Sequence, residues 1–288
     1  MVDRNSIEFY RNNYTLIEKL LQADQTHCIH HGYYEKGIRT HVQSVLNMND
    51  FIGRLLKLDS EIKQGKKILD AGCGIGGTVV YFAQKYPHIK FTGINIVSDH
   101  IEMAKNLAKE KKVLSNTDFF VKDFVDTDLS SNHFDAIYLM ESSCYALQKQ
   151  MLIREMYRIL KPGGILVITD VFRTLVELNP FLTNIYDSFC KGWGLSDLID
   201  IEEFIFYLEK EGFHNVVNKA VTKHVTQTIL RGDVLSIPYL VSMMSKKIFL
   251  GKKYQMTKDS QFPGISPILT SMLGIKKAIT YNAVTAMK

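Results

Sequence analysis

The sequence predicts an α/β chain built around a doubly wound parallel sheet, and three observations carry that expectation. Strand-like apolar runs alternate with amphipathic helical runs from Lys66 onward, the pattern that builds βαβ units. The first strand, Lys66 to Leu69, closes at Asp70, and Gly72, Gly74, Gly76 and Gly77 follow before a helical run opens at Thr78. A strand, a glycine turn and a helix open a nucleotide-binding unit, where glycine supplies positive φ and lets a ligand lie against the backbone. The third observation is Ile165 to Asp170, almost wholly apolar, as a central parallel strand buried on both faces should be.

Taken in order, residues 1 to 27 place Ile7, Tyr10, Tyr14, Ile17, Leu20 and Leu21 near helical spacing. The segment His27-Cys28-Ile29-His30-His31-Gly32-Tyr33-Tyr34-Glu35 follows. Adjacent histidines cannot easily face one ion and no partner ligands stand out elsewhere, so no metal site is predicted. Thr40 to Leu56 reads as a second amphipathic helix leading to Asp59. The second strand, Lys90 to Ile96, delivers Asn95 and Ile96 at its end, and Ser98 is expected to cap a helix starting at Asp99. The third strand, Asp118 to Lys122, ends in Asp123-Phe124; the fourth, Phe134 to Met140, ends in Glu141-Ser142-Ser143. A helix over Met151 to Leu160 is stopped by Lys161-Pro162-Gly163-Gly164 ahead of the fifth strand.

Composition narrows the classes. The 288 residues can bury a large core, with 46% hydrophobic and 23% charged residues, ordinary values for a globular enzyme. A formal charge of +5, dispersed along the chain, makes no case for nucleic acid. Cys28, Cys73, Cys144 and Cys190 are widely spaced without a C-x-x-C pair, which fits a reducing compartment and no disulfide framework. The polar start, Met1 to Arg11, is no secretory signal. No apolar run approaches the roughly 20 residues of a membrane helix, so a cytoplasmic protein without stable membrane insertion is expected.

Which nucleotide the glycine turn serves follows from what surrounds it. Gly72, Gly74 and Gly77 satisfy G-x-G-x-x-G, but a dinucleotide site wants an acid about 20 positions on, at the end of the second strand. Asn95 stands there instead, and the nearest acid is Asp99. An Asp directly before Gly-x-Gly, the ordered strand ends and the tract Glu155 to Asp170 around Leu160-Lys161-Pro162-Gly163-Gly164 resemble class I S-adenosylmethionine-dependent methyltransferases. The pattern is nearest to the tocopherol, sterol and geranyl diphosphate methyltransferase group. That resemblance implies a Rossmann-like, seven-stranded sheet in the order 3-2-1-4-5-7-6, the last strand antiparallel, with helical lid insertions. Phe213 to Val221 and Tyr281 to Met287 fit strands six and seven. The expected organisation is a helical cap over 1–60, a core over 61–225, a lid over 226–275 and a final core strand over 276–288.

Val171 to Leu195 and Thr226 to Ile275 are left outside the strands; the second carries Pro238, Pro263 and Pro267 and the apolar centre Leu240-Val241-Met243-Met244. Loops that long are usually functional. A lid over substrate is expected, with a homodimer contact or a membrane-surface helix as competing readings.

Strand C-terminal ends open on one crevice, so Asp70, Asn95, Asp123 and Glu141 should converge there. By position within the resemblance, Asp70, Gly72 and Gly74 take the methionyl side of S-adenosylmethionine, Asn95 with Ile96 the ribose, and Asp123 with Phe124 the adenine. The His-x-Gly-aromatic segment implies that Tyr33 or Tyr34 contacts the cofactor. Methyl transfer needs alignment, exclusion of water and removal of any proton on the nucleophile. Glu141 is the candidate for base or cation stabiliser and also for a place beside the cofactor, with His31 or His30 as the alternative base. The expected acceptor is a small apolar or amphipathic molecule, a terpenoid or other lipid, methylated on carbon. O- or N-methylation is the alternative; a nicotinamide-dependent oxidoreductase or a non-catalytic binding protein on the same fold stands further off.

Overall fold

β1 (Lys67–Ala71) sits near the middle of a seven-stranded sheet whose order is β3-β2-β1-β4-β5-β7-β6. The computed structural model describes residue 18 and residues 22–59, 65–250 and 266–288. β1 pairs in parallel with β2 (Lys90–Asn95) and β4 (Phe134–Met140), and β2 pairs in parallel with β3 (Thr117–Val121). β5 (Leu160–Arg173) continues the parallel set beside β4. β7 (Ile279–Met287) runs antiparallel to both β5 and β6 (His214–Ala220), so the expected order and the expected direction of the last strand both hold.

The sheet is covered on both faces because its strands carry apolar side chains on both. On one face Tyr138 and Phe91 pack with Phe82, Met48 and Ile101. These come from α2 (His41–Leu55), α3 (Gly77–Lys85) and α4 (Ser98–Glu110). On the other, Ile137 and Leu139 meet Leu152 and Met156 of α5 (Lys149–Ile159) and Phe204 and Leu208 of α7 (Ile201–Glu211). Successive β4 residues thus feed opposite cores, which is what alternation along a strand requires. A third cluster, with Phe189 of α6 (Pro180–Trp193), Leu273 of α9 (Ser266–Ile275) and Ile279, lies beyond the sheet's end. α8 (Thr222–Leu250) follows β6 and precedes α9.

Local chemistry explains most element ends. α2 begins at a capping box in which Thr40 accepts from the Gln43 amide and Gln43 accepts from the Thr40 amide, satisfying two of the free donors of its first turn. Three expectations need correction. Ser98 is the first residue of α4 rather than its cap: Val97 holds the cap position, and its amide is taken by Asn95 Oδ1 at 2.8 Å. β5 is longer at both ends than Ile165 to Asp170, because Leu160 pairs with Phe134 across a bulge and Val171 to Arg173 pair with β7. Pro162 and Gly163 end the helix, but the chain turns directly into the sheet, Gly163 donating to the Lys288 carbonyl. α8 starts at Thr222, so the expected boundary at 225/226 falls inside its first turn, where Val225 is buried in the main core. Of the helix expected over 1–27, only α1 (Ala23–Thr26) and neighbouring residues lie within the described range. The side chains of Leu240, Met243 and Met244, and Pro263, lie outside it.

The segment His27–Cys28 crosses the start of α3 so closely that only glycine fits beneath it. A Cβ on Gly77 would lie 1.8 Å from the His27 carbonyl oxygen. Gly77→Ala must push backbone from backbone, and is expected to lower stability by about 1–3 kcal/mol, the usual cost of overpacking. Denaturant unfolding would show it as a lower midpoint at unchanged m.

Candidate active site

The strand ends open on a cavity that encloses about 840 Å³, counted to its open mouth. β1 contributes Asp70, the turn after it Gly72, Cys73 and Gly74, β2 Asn95 with Ile96, and β4 Glu141 with Ser142. Its fourth wall is the segment His27 to His30, laid across α3. Gly74 has φ +53°, and the space where its Cβ would project holds no atom within 4 Å. The backbone there is open to a ligand.

That fourth wall is held by a buried polar network. Asn49, fully buried on α2, accepts from Thr78 Oγ1 at 3.0 Å, donates to Cys28 Sγ at 3.5 Å and faces His30 Nε2 at 3.1 Å. His30 Nδ1 lies 2.9 Å from the His31 carbonyl. Both ring nitrogens of His30 therefore face oxygen acceptors, the arrangement an imidazolium satisfies. Burial alone would discharge this histidine, but the hydrogen bond and charge of Cys28, and the charge of Glu141, push it up to about 9. The Cys28 thiol is correspondingly lowered: burial opposes the charge, and His30 outweighs burial. Asp70 goes the other way, pushed up to about 7 by burial, with Tyr138 and His30 opposing.

Glu141 leaves β4 in the left-handed region, φ +51°, a conformation that costs a non-glycine residue free energy and concentrates at functional sites. Its amide donates to the Thr169 carbonyl at 2.8 Å. Its Oε1 accepts from the His31 amide at 2.8 Å and from the Tyr281 hydroxyl at 2.7 Å, and Oε2 lies 2.9 Å from His31 Nδ1. Burial raises the Glu141 carboxyl, but His31 and then His30 outweigh it, holding the group below the ordinary carboxylate range.

A second cavity, about 1160 Å³ to its mouth, opens on the other side of Glu141. Both cavities are lined by Ile29, Glu141 and Tyr145. The second is otherwise largely apolar, with Val171, Phe189, Trp193, Leu195 and Ile279 in its walls, and α8 and α9 close it through Thr228, Ile229, Pro267 and Thr270.

The structure thus brings Asp70, Gly72, Gly74, Asn95, Ile96, Phe124 and Glu141 to the first cavity and His31 with Glu141 to the second. It does not bring Tyr33, Tyr34 or Asp123 to either. Tyr33 is core, stacked between Phe51 at 4.2 Å and His224 at 4.4 Å. Tyr34 is tied through its backbone to His224. Asp123 turns its carboxylate to the Val125 amide, and the next residue, Phe124, reaches the cavity instead. Cys28, Asn49 and Tyr281 were beyond sequence reasoning as site residues. Asn49 alone left a signal: a polar residue on the apolar stripe Val45, Met48, Ile52 of an amphipathic helix.

Residues 68–164 match the family described as "Methyltransferase domain". The chain is 27% identical over 222 residues to tocopherol O-methyltransferase, chloroplastic, of Arabidopsis thaliana, which covers 73% of this chain and 62% of that protein. It is 30% identical over 220 residues to cycloartenol-C-24-methyltransferase 1 of Oryza sativa subsp. japonica, covering 74% and 63%. The chain therefore spans less than two thirds of the length of these two relatives. Among solved structures, geranyl diphosphate C-methyltransferase of Streptomyces coelicolor A3(2), held with Mg2+, geranyl diphosphate and S-adenosylhomocysteine, superposes with a TM-score of 0.71. The match covers 99% of this chain and 98% of that one at 13% identity, a likeness of fold. The resemblance read from Asp70 to Asp170 is borne out, and S-adenosylmethionine is the cofactor such a domain takes.

A side chain at Gly74 would occupy the open space beside the backbone. Gly74→Val is expected to weaken S-adenosylhomocysteine binding at least 100-fold in calorimetry, while strain at positive φ lowers stability by only about 1–2 kcal/mol. Unchanged affinity would place the ligand away from this turn.

Proposed function

We propose that this chain, whose residues 68–164 are a methyltransferase domain on the class I fold, transfers the methyl group of S-adenosylmethionine to a small apolar or amphipathic acceptor, with carbon as the favoured target. The observation that carries the reading is the shared wall: a cavity bearing Asp70, Asn95 and bare glycine backbone and a more apolar one meet at Ile29, Glu141 and Tyr145. Bound S-adenosylmethionine supplies a methyl carbon activated by its sulfonium. In this reading Asp70, Gly72 and Gly74 hold the methionyl end, Asn95 and Ile96 the ribose, and Phe124 rather than Asp123 lies beside the adenine. The residues fit that group, since the first cavity offers a carboxylate, bare glycine backbone and an apolar ring in strand order.

His31 and Glu141 divide the proton chemistry. A carboxylate held low by its donors is a weak base but a good anion, able to stabilise positive charge that develops when a methyl group adds to an alkene. His31 faces the acceptor cavity and is positioned by Glu141, so we assign it the proton. Oxygen or nitrogen acceptors would use the same pair with the histidine alone at work. The lid reading of 226–275 is supported by the α8 and α9 residues that close the acceptor cavity. No helix among the described residues is long and apolar enough to cross a membrane.

Two outcomes test this. Burial lifts Asp70 to about 7, and the methionyl ammonium needs it ionised. S-adenosylhomocysteine affinity, followed by calorimetry, should fall by up to tenfold per unit as the pH drops below about 7; Asp70→Asn should flatten that fall. Glu141→Gln should keep cofactor affinity within a few-fold yet lower the single-turnover rate by roughly 100-fold, the scale of a lost acid–base partner. Tritiated methyl transfer to neutral isoprenoids and sterols supplies the assay. Loss of cofactor binding in that variant would move Glu141 to the methionyl end.

A further inference from the structure

Among the described residues, the acceptor cavity has carboxylates in its wall and no fixed cation. Glu141 and Asp170 both line it. Among the described residues no lysine or arginine does. The one lining side chain able to carry positive charge, His31, already lies 2.9 Å from Glu141. Asp170 is itself fully enclosed and presents only acceptor oxygens, which take Ser143 Oγ at 2.6 Å and the Cys144 and Val171 amides. An anionic head entering here would lose water and meet like charge.

Two glycines in the lid helices add a second, independent observation. Glycine inside a helix is unfavourable relative to alanine and calls for a reason. At Gly232 on α8 the reason is close packing, since a Cβ would lie 2.9 Å from Pro267 Cβ on α9. At Gly274 on α9 it is not packing: a Cβ there would meet nothing within 4 Å, yet the residue lines the cavity. Its missing side chain leaves acceptor space open.

We infer that the acceptor buries an uncharged hydrocarbon body in this cavity, that acceptors whose buried part carries phosphate or carboxylate are excluded, and that Gly274 keeps open the room this body takes. The inference deepens the methyltransferase reading and rests on it for the word acceptor, but the charge selectivity is a property of the cavity itself.

The chain has one tryptophan, Trp193, and it lines this cavity, so its emission reports occupancy directly. Purified protein with S-adenosylhomocysteine present would be titrated with farnesol and with farnesyl diphosphate, which share a hydrocarbon chain and differ in charge. The alcohol should shift or quench Trp193 emission saturably and bind at least 10-fold more tightly than the diphosphate. Gly274→Leu should weaken the alcohol at least 10-fold, while Gly274→Ala keeps the melting temperature and S-adenosylhomocysteine affinity of the parent. Equal or tighter binding of the diphosphate overturns the inference, as does no saturable response to the alcohol; unchanged alcohol binding in Gly274→Leu overturns the role of Gly274. Calorimetry with S-adenosylhomocysteine alone separates the two levels: if it fails to bind while the alcohol does, the methyltransferase reading falls and the selectivity stands.

Discussion

One carboxylate ties together parts of the chain that the sequence holds far apart. Glu141 accepts from a backbone amide 110 positions earlier and from a hydroxyl 140 positions later. Hydrogen bonds to a charged group are each worth about 1.5–3 kcal/mol net, and more is lost when such a group is left buried without them. The wall between the two cavities exists because these bonds close it. Without His31 and Tyr281 the left-handed turn at Glu141 would keep only its backbone bond to Thr169, and the side chain would be free to turn away from both cavities.

Around that wall the charges are sorted by cavity. The cofactor side carries a histidine lifted by its thiol neighbour and an aspartate lifted by burial. The second cavity carries carboxylates whose oxygens already accept hydrogen bonds. A zwitterionic ligand finds partners of both signs on the first side, and a hydrocarbon finds little to desolvate on the second. The division of labour thus arises from where donors are placed rather than from different residue types, since aspartate serves on both sides.

Much of the fold was legible because local rules and the global sheet agree. The four strands ending at Asp70, Asn95, Asp123 and Glu141 announce themselves by apolar runs closed with a polar residue, and the sheet delivers those ends to one edge. What misled is equally local. Asp123 looked like its counterparts, but an Asx-type bond to Val125 turned its side chain down and passed the position to Phe124. Tyr33 looked like a cofactor contact by resemblance, but two aromatic faces were available to sandwich it. Ser98 looked like a cap, but the strand's own last residue, Asn95, reached the helix first. Tyr281 left no signal at all. Its partner, Glu141, ends a strand two places away in the sheet but 140 positions away in the chain, and no spacing rule reaches that far.

The place of β7 has a consequence for how the molecule comes into being. It is the last of the seven strands in the sequence, yet it is inserted between β5 and β6 rather than added at an edge. A chain synthesised from its N-terminus holds β5 with an open backbone edge until residues 279–287 have emerged, and open edges invite pairing with other chains. Pairing β7 with β5 also has to close the long stretch of chain between Arg173 and Ile279, which slows the search for it. Tyr281 travels on that strand, so the hydroxyl that fixes Glu141 arrives with the last act of assembly. A nascent chain can therefore possess the glycine turn and the cofactor's strand ends well before it possesses a wall for them to work against.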